Sequence, residues 1–141
     1  MKLEINKNHF PMINHSERTA SDPVFNFPPN LIELTLTNFN FQKDIHLISA
    51  INKNTLRTLI LIKPQDLNPD FLESLTTNYL VNLTLLRLVD LSELLDRFDT
   101  GERTEFYSRM ASFIEKKNGK IRIEVEYPLF RIQNSRYEAK E

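Results

Sequence analysis

The sequence predicts an α/β chain in which short parallel strands alternate with helices, and three observations carry that expectation. An apolar pattern LxxLxL occurs at Leu31, Leu34 and Leu36, at Leu56, Leu59 and Leu61, and at Leu83, Leu86 and Leu88. The copies begin 25 and then 27 residues apart (56−31 and 83−56). Each is followed by a stretch whose apolar residues fall at helical spacing. A pattern returning at this interval indicates one supersecondary unit repeated along the chain.

The elements follow in order. Residues 1–30 carry Pro11, Pro23, Pro28 and Pro29 among polar side chains and predict an irregular N-terminal cap or arm. Within it "KLEI" suits a short edge strand, and Val24, Phe25 and Phe27 suit docking on the first unit. The repeat region spans 31–127. Its first strand is expected near 32–37, followed by a helix through "KDIHLISAI", with Ile45, Leu47, Ile48 and Ile51 as its stripe. The second strand is expected near 57–62. Asn68 then suits an N-cap and Pro69 the first helical position. Phe71, Leu72, Leu75 and Tyr79 form the stripe of that helix. The third strand is expected near 84–89, with a short helical turn in "LSELLDRF". A longer helix follows, with Phe106, Met110, Phe113 and Ile114 on one face and Gly119 as its stop. A weaker fourth copy, "KIRIEVEY", places Ile123 and Val125 in a strand near 121–126. It starts 37 residues after the third (120−83), because a segment containing "RFDTGER" is inserted. Pro128 ends that strand, and residues 128–141 read as a mobile polar C-terminal tail.

This repeated strand, turn and helix resembles the leucine-rich-repeat family, in its longer intracellular form, over roughly Pro28 to Tyr127. The resemblance implies a short solenoid with a parallel sheet on the concave side and helices on the convex side. In the family, position nine of each copy is usually Asn or Cys bonded to the turn backbone. Here that position holds Phe39, Pro64 and Leu91, and Asn38 and Asp90, one place earlier, are the candidates for its role. The other architecture consistent with the pattern is an α/β layer sandwich with a parallel sheet, since βαβ units share these features.

Composition limits the chemistry. The chain has 141 residues, and 18 basic against 19 acidic side chains leave a formal charge of −1. No global field draws it to nucleic acid or to an anionic membrane. There is no cysteine, which removes disulfides, thiolate ligands and thiol nucleophiles. "MKLEINKNHF" lacks a signal-peptide core and no apolar run reaches membrane-spanning length, so an intracellular location, cytoplasmic or nuclear, is expected. The triplets at Asn14 and Asn82 read as chance glycosylation matches.

Candidate catalytic motifs are weak. "FDTG", Phe98 to Gly101, contains the triplet of an aspartic-protease carboxylate, but it sits between two helical stretches and is followed by Glu102. His9, His15 and His46 do not share metal-ligand spacing. Two glycines cannot make a phosphate-cradling loop. The basic run "KKNGKIR" suits a helix C-terminus. No catalytic residue, metal or cofactor is expected, and the chain does not read as an enzyme.

One surface stands out. Strand residues between the repeated leucines point away from them. At position five they read Thr35, Ile60, Arg87 and Glu124, and at position seven Thr37, Ile62, Val89 and Glu126, with Leu85 beside them. Ile60, Ile62, Leu85, Arg87 and Val89 are therefore the expected binding residues, and the expected partner is a protein, without nucleic acid or membrane. The competing expectation is that the termini cover this face. The reading is of a non-catalytic interaction module or adaptor, a subunit of a larger complex that binds through the concave strand face. A purely structural subunit and a small α/β enzyme with an unrecognised site are the alternatives.

Overall fold

A computed structural model of the chain describes residues 2–6, 27–44, 48–49, 51–127, 130–133 and 136–139. Seven strands form one sheet in sequence order. They are β1 (Lys2–Asn6), β2 (Glu33–Thr37), β3 (Thr58–Ile62), β4 (Leu85–Val89), β5 (Arg122–Glu126), β6 (Phe130–Gln133) and β7 (Arg136–Ala139). The first five are parallel, while β6 and β7 are antiparallel additions at one edge. The helices are α1 (Pro69–Ser74), which runs on into a π-helical turn at Leu75–Tyr79, α2 (Ser92–Asp96) and α3 (Thr100–Lys117). The protein is thus α/β, with a five-strand parallel sheet and helices.

The repeated leucines set the register. Leu34 pairs with Leu59, Leu59 with Leu86 and Leu86 with Ile123, while Leu36, Leu61, Leu88 and Val125 form the next row. All eight are at most 1% exposed. They join one core with Leu72, Leu75, Leu94, Leu95, Phe106, Met110, Phe113 and Ile114 from the helices. The leading leucines, Leu31, Leu56 and Leu83, are buried in the same core.

Backbone links repeat with the leucines. The Ile32 carbonyl accepts from the Arg57 and Thr58 amides, and the Arg57 carbonyl accepts from those of Thr84 and Leu85. Past the strands, the Asn38 amide donates to Ile62 and the Lys63 amide to Val89, both at 2.8 Å. Position eight is left-handed in all three leucine copies, with φ of 62° at Asn38, 52° at Lys63 and 57° at Asp90. Asn and Asp tolerate that conformation because their short side chains bond locally. The Asp90 carboxylate indeed accepts from the Ser92 hydroxyl at 2.6 Å.

The "KLEI" strand exists and pairs along its full length with β2, Leu3 beside Leu34 and Ile5 beside Leu36. Asn68 caps α1 through the Asp70 amide and Pro69 is the first helical residue. Asp99 caps α3 in a reciprocal capping box with Glu102, so "FDTG" is a junction between helices. Gly119, at φ 86°, turns the chain after α3. Arg109 reaches Asp70, and Lys116 reaches Glu73, holding α3 against α1.

After the first copy, residues 41–43 form a turn that runs into the start of the expected helix, residues 48–49 form a 3-10 turn, and the rest of that helix falls largely outside the described residues. Asn40 holds the first turn. Its side-chain oxygen accepts from the amides of Gln42 and Lys43, and its own amide donates to Asp44. Such local bonds compete with a helical ladder. Ile48 and Ile51 are buried all the same, while Ile45, Leu47 and His46 lie outside the described residues. One expectation is corrected. The sequence reads the segment after Tyr127 as a tail, but residues 130–133 and 136–139 pair as β6 and β7. Both runs alternate, with Phe130 and Ile132 and then Tyr137 and Ala139 at every second place, but each is only four residues long, and they pair at the edge that β5 offers. His9, His15, Val24 and Phe25 also lie outside the described residues. Phe27 does dock in the core.

A candidate interaction surface on the sheet

The surface follows from the strand period. Once leucines point to the helices, intervening residues point to the opposite face. Ile60 lies directly beside Arg87 and Ile62 beside Val89, while Leu85 lies between Thr58 and Arg122. The five expected residues are thus brought together on two neighbouring strands. Ile60, Ile62, Leu85 and Val89 are half-buried and Arg87 is exposed. None of the four aliphatics belongs to the leucine core or packs against it.

Charge borders this apolar row. Arg87 Nε donates to Glu124 Oε2 at 2.7 Å across the β4–β5 ladder. Arg122 Nη2 lies 3.0 Å from the other Glu124 oxygen. One carboxylate, only 15% exposed, therefore holds two guanidinium groups that are about half exposed. On the far side, Thr35 and Thr37 separate the apolar row from the charged β1 edge, where Lys2 lies 3.9 Å from Glu33. Arg122 and Glu33 were not among the expected binding residues. They occupy position three of their copies, one strand period before the position-five column, and counting back two residues would have found them.

Chemistry elsewhere is sparse. An open cleft of about 310 Å³ lies beside the turn after β3, lined by Asp66, Asn68, Phe98, Glu102, Glu105 and Arg109. Its polar groups already hold the structure together. Asp66 accepts from Asn40, Glu102 caps α3, and Arg109 bonds Glu105 at 2.8 Å and Asp70 at 3.2 Å. Among the described residues no cluster of three His, Asp or Glu side chains is placed to hold a metal ion. No described helix is long and apolar enough to cross a membrane.

Burial lowers the Lys117 pKa from its ordinary 10.5; Glu73 opposes the shift, and Lys120 and Lys116 add to it. Its ammonium donates to the Thr77 hydroxyl at 2.6 Å. This pair lies on the helices, away from the strand face.

Comparison of the chain with protein-family models, with curated proteins and with solved structures finds no match.

Proposed function

We propose that the chain is a non-catalytic protein-interaction module, a short leucine-rich-repeat solenoid that binds a protein partner through Ile60, Ile62, Leu85, Arg87 and Val89. The observation that carries this reading is the contiguous row of four aliphatics on β3 and β4, outside the core and flanked by the Arg87–Glu124 pair. Aliphatics around a central arginine are a composition that interface centres favour. The repeat assignment is supported by the recurring left-handed residue at position eight and by Asn40. That buried side chain bonds the turn backbone as the family's position-nine asparagine does, though it stands at position ten.

The test is affinity capture followed by mass spectrometry, comparing wild type with the double variant Ile60→Asp with Val89→Asp. The reading expects a stoichiometric protein with wild type, its loss with the variant, and an unchanged circular dichroism spectrum. A folded variant that retains the partner would move the binding surface elsewhere. An unfolded variant would show that the face is buried within the chain itself.

A further inference from the structure

Self-complementarity of the strand face suggests who the partner is. At the N-terminal end of the strands, one row crosses the sheet as Glu33, Thr58, Leu85, Arg122. The next row reads Thr35, Ile60, Arg87, Glu124. Above it Thr37 and Ile62 are followed by Val89, with Glu126 two residues beyond Glu124 on β5. The middle of the three rows is Thr58–Leu85, Ile60–Arg87 and Ile62–Val89, and the two ends differ in kind. The β2 end carries an acid and two hydroxyls, and the β5 end carries a base and two carboxylates.

A two-fold axis parallel to the strands, between β3 and β4, reverses the order of each row in the facing copy. Glu33 then meets Arg122, Thr37 meets the β5 carboxylate end and Ile62 meets Val89, while Thr58 faces Leu85, Ile60 faces Arg87 and the buried Thr35 lies opposite Glu124. Acid faces base at the two outer corners, and aliphatic faces aliphatic at Ile62 and Val89. Packed sheets cross at about 30°. Strands β2 and β5 lie about 7 Å from this axis at a strand spacing of about 4.8 Å, so the crossing displaces facing residues by roughly 4 Å, within reach of Glu and Arg side chains. The groups at the corners have bonding capacity to spare. Lys2 is 3.9 Å from Glu33, beyond hydrogen-bond range, and the Arg122 side chain is 53% exposed.

Residues 7–26, which join β1 to Phe27, lie outside the described residues. Phe27, where the described chain resumes after β1, lies in the core on the leucine side. Strands β6 and β7 extend the sheet at its edge.

We propose that the partner seated on this face is a second copy of the chain, packed face to face about a two-fold axis between β3 and β4 with Glu33 of each copy against Arg122 of the other. This rests on the reading of the strand face as a binding surface and names its occupant.

Sedimentation velocity across a concentration series tests it, using wild type, Glu33→Arg, Arg122→Glu and the double charge exchange. Wild type is expected to dimerise. Each single reversal places like charges together at two equivalent corners and should weaken the dimer about tenfold or more. The double exchange restores opposite charges and should recover most of the loss. A wild type that stays monomeric at every concentration overturns the proposal, as does a dimer indifferent to the single reversals or not rescued by the exchange. The Ile60→Asp with Val89→Asp variant separates the two readings. If wild type is monomeric but captures a different protein that this variant loses, the second copy is excluded and the binding face stands. A dimer that persists undiminished in the variant removes both.

Discussion

The Asn40 side-chain nitrogen Nδ2 donates to an Asp66 carboxylate oxygen at 2.8 Å, joining the turn after β2 to the turn after β3. The same Asn40 is 3% exposed and accepts two backbone amides from its own turn. One side chain therefore closes its turn and docks it on the next unit. The isolated parallel bridge between Asn40 and Gln65 runs alongside.

Asn40→Ala strands the Gln42 and Lys43 amides and removes the donor to Asp66, and should cost about 2–3 kcal/mol. Asp66→Ala, at a half-buried site whose carboxylate accepts from Asn40, should cost about 1 kcal/mol. Chemical denaturation of both variants and their double mutant measures the coupling. Additive losses would place the stabilisation within the first turn alone.

Leu34, Leu59 and Leu86 lie in one row with neighbours on both sides and are fully buried. Replacing any of them by Ala should cost about 2–5 kcal/mol, the sum of lost transfer energy and a residual cavity. Arg87→Ala, one residue further along β4 but on the opposite face, should cost less than about 1 kcal/mol. Equal denaturation midpoints for Leu86→Ala and Arg87→Ala would contradict the observed facing.

This separation of faces was legible because leucine spacing and strand period coincide, and the register of β2 to β5 followed directly. The turn at 41–43 was not, because side-chain bonding of the kind Asn40 makes to the Gln42 and Lys43 amides leaves no periodic trace. Thr76 acts similarly at the π-helical turn, where its buried hydroxyl donates to the Leu72 carbonyl at 2.9 Å. Strands β6 and β7 escaped notice because their alternation, Phe130 with Ile132 and Tyr137 with Ala139, runs for only four residues each. For the candidate site, period two placed all five expected residues on one face. Glu33 and Arg122 came into view only once strand pairing showed which residues share a row.

Position eight offers a stabilising change. Lys63 holds φ 52° without the local bonding that Asn or Asp can make. Lys63→Gly removes the steric cost of the Cβ and loses part of that gain to a freer unfolded chain, so a net gain of about 0.5–1 kcal/mol is expected. Lys63→Val should lose about 1 kcal/mol or more, since a branched side chain fits that conformation least well. Thermal midpoints in the opposite order would show that the Lys63 side chain itself stabilises the turn.

Lys117 and Thr77 yield a pH-dependent prediction. The Lys117 ammonium is held below its ordinary pKa of 10.5 chiefly by burial, and the Thr77 hydroxyl is its hydrogen-bond acceptor. At neutral pH both folded and unfolded chains carry the proton, and the folded state bears the desolvation cost in full. Between the folded pKa and 10.5 the unfolded chain binds more protons, so this group's contribution to stability rises with pH across that window. Thr77→Val removes the acceptor and depresses the folded pKa further, which widens the window. The variant should therefore lose about 1 kcal/mol at neutral pH. The difference from wild type should shrink as pH approaches 10.5, because the folded-state amine loses its proton ahead of the unfolded one. Urea denaturation of both proteins at neutral pH and near 10.5 reads this as a double difference, in which the common titration of the tyrosines cancels. A deficit that stays constant across that range would mean that Thr77 acts by packing and not through the Lys117 charge.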